Sequence, residues 1–239
     1  MTESLANGTT VSESSSDEVL AIFYGDGSPA GLVASRGVTH KEGLWHETFH
    51  CWVVVPSEHG NAVVVAERST EKVTFPGMLD ASCAGHLLHG ESARDGVREL
   101  HEELGVCVRF EDLLSVGLLP VENQWPLTGT PQHVVREHTH TFVLPDDRIL
   151  TDFRFERSEI SALLQVPVTS FVSLLRGDLS AVRGWRSDGR TISGVDVEAR
   201  RFVPAGPAYW EPVLDALTRI PLLASVATSR VLDDDESNL

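Results

Sequence analysis

Three glutamates within one short stretch are the residues of this sequence best suited to chemistry. Glu99, Glu102 and Glu103 lie three and four residues apart, and on an α-helix this spacing places side chains on one face. Carboxylates so close repel each other, and a bound Mg²⁺ or Mn²⁺ would offset the repulsion because hard cations take carboxylate oxygens. The alternative is a solvated acidic face, since runs of charge usually face water. The spacing therefore predicts either a divalent-metal site or an exposed helix surface.

A helix over residues 92–104 would carry these glutamates. Ser92 is a good N-cap, and Asp95 follows three residues later in the capping-box position. Gly105 comes directly after the stretch and is typical of a helix end. Apolar residues recur at helical spacing and predict one buried face; they are Ala93, Val97, Leu100 and Leu104.

The pattern around this helix resembles the Nudix box, the signature of Nudix hydrolases. The matching residues are Gly85, Glu91, Arg98, Glu99, Leu100, Glu102, Glu103, Gly105 and Val106. Six residues separate Glu91 from Arg98, one fewer than is usual in the family. The resemblance implies the Nudix fold, an α/β (α+β) fold with a mixed sheet sandwiched between helices. It also favours the metal site over the solvated helix face.

The resemblance implies a role for each charged residue of the box. Glu99, Glu102 and Glu103 would bind Mg²⁺ or Mn²⁺, so that the cation bridges diphosphate oxygens while a water attacks phosphorus. Glu102 and Glu137 are both candidates for the catalytic base or for the group that orients this water. Arg98 is expected to pair with a box glutamate and to hold the catalytic arrangement in place.

Three further residues are expected to bind the substrate. Gly85 would let the backbone turn or pass close to the metal, and Glu91 begins the conserved-looking acidic pattern of the box. Trp125 could stack on an organic group. It lies within residues 117–136, which contain Pro, Gly and Thr and which we predict to be a long loop bordering the substrate.

A second resemblance covers residues 17–165 and points to isopentenyl-diphosphate isomerases and their Nudix relatives. It rests on residues 26–46 and 75–86. In the isomerases a metal binds three histidines, which match His40, His46 and His86 here, and an acid/base glutamate matches Glu137. The resemblance thus implies a second metal site, for zinc or manganese, on the three histidines. The alternative is that these histidines only pack or hydrogen-bond around the sheet.

The same comparison separates a hydrolase from an isomerase. Ala84 occupies the position of the isomerases' catalytic cysteine, directly before Gly85 and His86. Cys83 comes one residue too early, and in an extended strand a shift of one residue points a side chain to the other face. Val135 stands where the second metal-binding glutamate of the isomerases belongs. We therefore predict a Nudix hydrolase that cleaves a nucleoside diphosphate-linked or other organic diphosphate, with isopentenyl-diphosphate isomerase as the alternative.

Composition excludes several other classes of protein. The 239 residues carry a formal net charge of −16, which argues against nucleic acid and anionic membranes as partners. No stretch is long and apolar enough to predict a membrane span. Three cysteines are too few for a disulfide scaffold, so a reducing, cytoplasmic location is expected. The predicted partner is a small-molecule diphosphate, and a homodimer is expected only because many relatives form one.

The chain is predicted to form one Nudix domain with short tails. Residues 1–16 would be a disordered tail, residues 17–220 the domain with a C-terminal helical extension, and residues 221–239 a second tail. Strands are predicted over 19–24, 48–55, 62–67, 113–119 and 139–144, and further helices over 167–175 and 209–219. Residues 180–202 are locally basic. They would either contact phosphate groups, form a dimer contact, or simply form a solvated hairpin.

Overall fold

A nine-stranded mixed sheet forms the centre of the fold, with a separate two-stranded sheet beside it. The computed structural model describes residues 18–125 and 133–223, so the predicted tail over 1–16 and most of the one over 221–239 lie outside the described residues. The strands are β1 (Val19–Phe23), β2 (Pro29–Ser35), β3 (His46–Ser57), β4 (Gly60–Arg68), β5 (Leu79–Asp80), β6 (Cys83–His86), β7 (Leu114–Trp125), β8 (His133–Pro145), β9 (Ile160–Pro167), β10 (Val182–Ser187) and β11 (Ile192–Val197). The α-helices are α1 (Arg36–Glu42), α2 (Arg98–Leu104), α3 (Val168–Leu175) and α4 (Pro207–Thr218).

The strand order of the large sheet is β11-β10-β9-β4-β3-β8-β7, with β5 paired to β4 and β6 paired to β3. The central pair, β3 and β8, is parallel, whereas β3 and β4 form the predicted antiparallel hairpin. Both β3 and β4 contain valine runs that are buried on both faces, as expected for strands covered by helices on each side. The remaining elements therefore pack on these two buried central strands.

Two hydrophobic cores lie on opposite faces of this sheet. One packs Trp52 and Phe171 with residues of α3 and α4. The other packs Phe49 and Leu100 with residues of α2. Helices thus cover both faces, which confirms the predicted mixed sheet between helices. Within the described residues, no helix is both long enough and apolar enough to cross a membrane.

The predicted helix over 92–104 is present, but it begins later as an α-helix. A single 3₁₀ turn, Asp95–Val97, precedes α2. Ser92 donates its backbone N–H and its hydroxyl to the carboxylate of Asp95, and Gly105 ends α2 in the left-handed conformation as predicted. Gly96 leaves room for the ring of Phe49, which a Cβ would overlap, so close packing on the sheet fixes the 3₁₀ turn.

The predicted long loop over 117–136 is wrong. β7 continues to Trp125 and β8 begins at His133, and the two pair along most of their length. Only residues 126–132 are left between them, and these lie outside the described residues. The Pro, Gly and Thr residues on which the prediction rested are compatible with strand here, because β7 is an edge strand and an edge strand can accept a proline such as Pro120.

The basic stretch over 180–202 forms the β10–β11 hairpin. Arg186 of this hairpin and Arg201, just beyond it, both bind the carboxylate of Glu67 on β4, at 2.8 and 3.1 Å. Ser161 adds a hydrogen bond to the same carboxylate. These two arginines therefore tie the C-terminal part of the chain to the central sheet instead of facing a ligand.

Replacing Glu67 with Ala is expected to lower the free energy of unfolding by about 2 to 3 kcal/mol, because two arginines lose a largely buried partner. Chemical denaturation measures this loss. The matched control is Glu198→Ala, which removes an exposed pair with Arg200 and is expected to leave the free energy of unfolding nearly unchanged. Equal losses in the two variants would contradict the anchoring role of Glu67.

Candidate active site

A cavity of about 1180 Å³ collects most of the residues that the sequence singled out. Its lining includes the box residues of β6 and α2, two of the three histidines and the glutamate of β8: Gly85, His86, Arg98, Glu99, Glu102, Glu103, His40 and Glu137. Glu91 is not part of this lining. Trp125 ends β7, and its side chain lies outside the described part of the structure.

Two of the three box glutamates are buried. Glu99 and Glu103 are 8% and 9% exposed, whereas Glu102 is exposed to the cavity. Burial raises the pKa of Glu99 to about 7 and raises the pKa of Glu103 as well. Since the sheet and the helix remove these carboxylates from water without fully compensating their charge, a divalent cation is a fitting partner for them.

The backbone of β6 holds both buried carboxylates in place. Ala84 donates its N–H to Glu103 at 3.1 Å. Gly85 has no Cβ, and a Cβ there would overlap the carboxylate of Glu99. The glycine of the box is therefore needed for space, because any larger residue would push Glu99 off the strand.

Arg98 connects the two ends of the box. Its guanidinium group donates to Glu99 at 2.6 Å and to Glu102 at 3.1 Å, and it also forms a two-point pair with Glu91 at 3.0 and 3.1 Å. Glu91 additionally accepts a hydrogen bond from the backbone N–H of Leu88 at 2.8 Å. Both oxygens of Glu91 are thus engaged outside the cavity, which favours a positioning role over the predicted substrate contact.

The shorter spacing between Glu91 and Arg98 does not separate the two side chains. The intervening residues contain the 3₁₀ turn, and a 3₁₀ turn advances roughly 2.0 Å per residue against 1.5 Å in an α-helix. The six intervening residues, three of them in this turn, bring Arg98 back to Glu91. The departure from the usual box therefore leaves its internal ion pair intact.

His40, His46 and His86 come together as the sequence resemblance implied. Their ligand atoms all lie within 4.8 Å of one another, and no other such group of His, Cys, Asp and Glu side chains occurs within residues 18–125 and 133–223. His46 is fully buried, and its Nδ1–H donates to the carbonyl of Leu44 at 3.0 Å. Its Nε2 then carries the lone pair and has no hydrogen-bond partner among the described residues.

The chemistry of this histidine cluster fits a transition metal. Burial lowers the pKa of His46 to about 4 and that of His86 well below its usual value, so both imidazoles are neutral near pH 7 and able to coordinate. Glu137 Oε1 lies 3.8 Å from His46 Nε2. Burial raises the pKa of Glu137 to about 7, which places a titrating carboxyl group at the edge of the cluster.

The structure separates Ala84 from Cys83 as predicted. Ala84 lies opposite His50 on β3 and lines the cavity, whereas Cys83 lies opposite Cys51. Cys83 is buried in the core beneath α2, and burial raises the pKa of its thiol. No cysteine side chain of the described residues lines the cavity.

Two histidines of β8 lie away from the cavity. His138 and His140 alternate along the strand and share a face, but His138 donates to the carbonyl of Tyr24 and stacks on Trp45, and His140 contacts Glu47. Trp185 is exposed on the β10–β11 hairpin, whereas Trp52 lines the cavity.

Several cavity residues were missed by the sequence analysis. The basic side chains of Arg36, Arg68 and Lys72 line the cavity with Arg98. Arg68 pairs with Asp80 at 2.9 Å. Tyr209 and Trp210 reach the cavity from α4. Single basic and aromatic residues scattered over the chain carry no spacing signal, and only the fold brings them together.

The fold and this site define a class of protein: an α/β protein whose charged cavity holds carboxylates and basic groups side by side, as enzymes acting on phosphorylated compounds do. The chain belongs to the Nudix hydrolase family, because residues 45–182 match the model of the NUDIX domain. An uncharacterized Nudix hydrolase from Clostridium acetobutylicum is 31% identical over 196 residues, which cover 77% of this chain and 89% of that protein. The family resemblance seen in the sequence is thereby confirmed.

Isomerases and solved structures show more limited similarity. Isopentenyl-diphosphate Delta-isomerase from Mycolicibacterium vanbaalenii is 32% identical over 92 residues, which cover 38% of this chain and 49% of the isomerase. The crystal structure of DR0079 from Deinococcus radiodurans has a TM-score of 0.47 and 18% identity, over 67% of this chain and 90% of that one. Nudix hydrolases typically use divalent metals, and the two groups of potential ligands described above fit such ions.

Replacing Gly85 with Ala is expected to weaken Mg²⁺ binding at least about tenfold, because the new Cβ displaces the Glu99 carboxylate. Isothermal titration calorimetry measures the affinity, and circular dichroism verifies the fold of the variant. Gly206→Ala is the matched control, since a Cβ at Gly206 meets nothing within 4 Å. Unchanged Mg²⁺ affinity in a folded Gly85→Ala variant would contradict this account of the site.

Proposed function

We propose that this chain hydrolyses the diphosphate bond of a small organic diphosphate, with Mg²⁺ or Mn²⁺ held by Glu99, Glu102 and Glu103. The observation that carries the proposal is the burial of two carboxylates against β6, in a cavity that basic side chains also line. Acidic and basic groups in one cavity suit a metal–diphosphate complex, because carboxylates bind the metal cation and basic side chains bind the negatively charged phosphates.

When bound, the divalent cation would supply Lewis-acid stabilisation to the diphosphate oxygens as water attacks phosphorus. The protein's own contribution is mainly position and charge. Arg98 holds Glu99 and Glu102 in a fixed relation through its guanidinium group. Arg68 and Lys72 line the cavity and are placed to contact phosphate oxygens.

Glu102 and Glu137 are the two candidates for accepting the proton of the attacking water. Glu102 is the most exposed of the box glutamates, so a water molecule reaches it easily. Glu137 faces the cavity from β8, and its pKa of about 7 suits a general base near neutral pH. The two carboxylates differ in environment, so the pH–rate profiles of the Glu102→Gln and Glu137→Gln variants distinguish them.

The histidine cluster supports a second metal site beside the first. His40, His46 and His86 provide three nitrogen ligands, and Glu137 lies next to them. We propose that this site binds Mn²⁺ or Zn²⁺, because imidazole nitrogens bind these transition metals better than they bind Mg²⁺. Isomerisation of isopentenyl diphosphate is disfavoured, because Ala84 offers no acid/base group to the cavity.

Replacing Glu102 or Glu103 with Gln is expected to lower kcat for diphosphate hydrolysis with Mg²⁺ by roughly a hundredfold or more. The reason is that a bound cation stabilises the charge that develops in the transition state, by about several kcal/mol. Phosphate release is measured over nucleoside and prenyl diphosphates, with Mg²⁺ and Mn²⁺ in parallel. Glu58→Gln, on an exposed loop, is the control. Unchanged turnover in both box variants would remove the proposal, and isomerisation without hydrolysis would replace it.

Replacing His46 with Gln is expected to remove one bound transition metal per chain while Mg²⁺ binding at the glutamates persists. The reason is that His46 Nε2 is the buried nitrogen whose lone pair points into the histidine cluster. Metal analysis after incubation with Mn²⁺ or Zn²⁺ and dialysis measures the stoichiometry. His59→Gln is the exposed control, and equal metal content in the two variants would contradict the second site.

A further inference from the structure

A chain of hydrogen bonds on the cavity wall joins Trp52, Tyr209 and His50. Trp52 Nε1 donates to Tyr209 Oη at 3.0 Å, and the same oxygen lies 2.9 Å from His50 Nδ1. His50 and Trp52 alternate along β3 and therefore share a face, and α4 brings Tyr209 onto that face. All three side chains line the cavity.

The direction of each hydrogen bond follows from the groups involved. An indole nitrogen can only donate, so Tyr209 Oη accepts from Trp52. Tyr209 is 3% exposed, and its hydroxyl contacts no other polar side chain among the described residues. Donation to His50 Nδ1 gives the hydroxyl proton an acceptor, whereas the reverse direction would leave this proton without one among the described side chains. The ring proton of His50 is then on Nε2.

His50 is thereby a neutral donor on the cavity wall. Burial lowers the pKa of His50 to about 4, so the ring is uncharged near pH 7. Its Nε2 forms no hydrogen bond with another described residue, and the side chain lines the cavity. An N–H group on the cavity wall is available to a ligand, and a ligand that displaces water from it without accepting its proton loses a hydrogen bond.

The surroundings of His50 differ from those of the box glutamates. Glu103 binds the edge of β6 that faces away from β3, whereas His50 lies on β3 among aromatic rings. The rings of Tyr209 and Trp210 are 5.2 Å apart, and those of Trp52 and Trp210 are 5.6 Å apart. The charged groups that act on His50, Asp80 and Arg68, are paired with each other. This part of the cavity is suited to an uncharged organic group.

We propose that Tyr209 fixes the tautomer of His50 so that its Nε2–H donates to an acceptor atom on the organic group of the diphosphate substrate. His50 is then a specificity-determining residue and Tyr209 a positioning residue. The substrate class is a diphosphate whose organic group carries hydroxyl, carbonyl or ring-nitrogen acceptors, as nucleosides and sugars do. A purely hydrocarbon group would displace water from this N–H without accepting its proton. The substrate part of this proposal rests on the proposed hydrolase function.

The tautomer is tested directly by nuclear magnetic resonance on protein labelled with ¹⁵N-histidine. Long-range proton–nitrogen correlations are expected to show His50 with a protonated Nε2 and an unprotonated Nδ1 in the wild-type protein, and a loss of this single tautomer in Tyr209→Phe. The His50→Gln variant assigns the signal. Tyr24→Phe is the matched control, because Tyr24 is exposed and does not line the cavity. A protonated Nδ1 in the wild-type protein would overturn the proposal.

Specificity is tested by the ratio of kcat/KM for ADP-ribose to that for dimethylallyl diphosphate, with Mg²⁺. The wild-type protein is expected to prefer ADP-ribose, and His50→Phe to lower the ratio about five- to tenfold, with a similar or smaller fall in Tyr209→Phe. His59→Phe and Tyr24→Phe are expected to leave the ratio unchanged. An unchanged ratio in His50→Phe, or a wild-type preference for the prenyl substrate, would overturn the specificity role.

The two proposals fail in distinguishable ways. If no diphosphate is hydrolysed, the resonance experiment still decides the tautomer. Calorimetric titration with ADP-ribose and with dimethylallyl diphosphate, each with Mg²⁺, then decides whether His50→Phe selectively weakens the acceptor-bearing ligand. Loss of that selectivity supports the role of His50 without hydrolysis, and equal effects on both ligands contradict it.

Discussion

The contact between the Glu99 carboxylate and the bare Cα of Gly85 is the constraint on which the site depends. Gly85 pairs with Phe49 of β3 and lies against Glu99 of α2, and only the absence of a Cβ lets the carboxylate lie against the strand. Removing this charge from water raises the pKa of Glu99 to about 7. The fold therefore holds a carboxylate where it is poorly compensated, and a divalent cation would supply the missing positive charge.

The sheet explains why two groups of potential metal ligands lie so close together. β6 pairs with β3 at Thr48 and His86, and β3 runs parallel to β8 with His46 opposite Glu137. The short strand β6 thus contributes His86 to the histidine cluster. The same strand contacts the box glutamates, because Gly85 lies against Glu99 and the N–H of Ala84 donates to Glu103. Because these positions are fixed by backbone pairing, the geometry depends on the register of three strands more than on any single side chain.

Much of the site could be predicted because its residues occur in patterns with a physical meaning. The glutamates recur at helical spacing, and a glycine ends the helix; both features survive in the structure. The one-residue offset of Cys83 from Ala84 also predicted opposite faces, since alternation along a strand is strict. The predicted loop over 117–136 failed because it rested on the Pro, Gly and Thr content of the segment, although an edge strand accepts a proline. Arg68, Lys72, His50 and Tyr209 had no shared spacing, and only tertiary packing assembles them.

The C-terminal part of the chain completes the cavity rather than merely extending the domain. Residues 45–182 match the family model, yet Tyr209 and Trp210 of α4 form part of the cavity wall. Glu67 anchors the preceding hairpin and Arg201 to the sheet, which sets the position from which α4 crosses the sheet. Under the proposed function, the family box would supply the groups for cation and diphosphate, and the later segment would shape the space for the remainder of the ligand.

The central claim is that the glutamates of α2 hold a divalent cation against β6. Anomalous scattering from a crystal grown with Mn²⁺ and a diphosphate tests it most directly. The account predicts a manganese peak whose nearest protein ligands are carboxylate oxygens of Glu99, Glu102 and Glu103. Manganese at the histidine cluster alone, or at neither place, would contradict it.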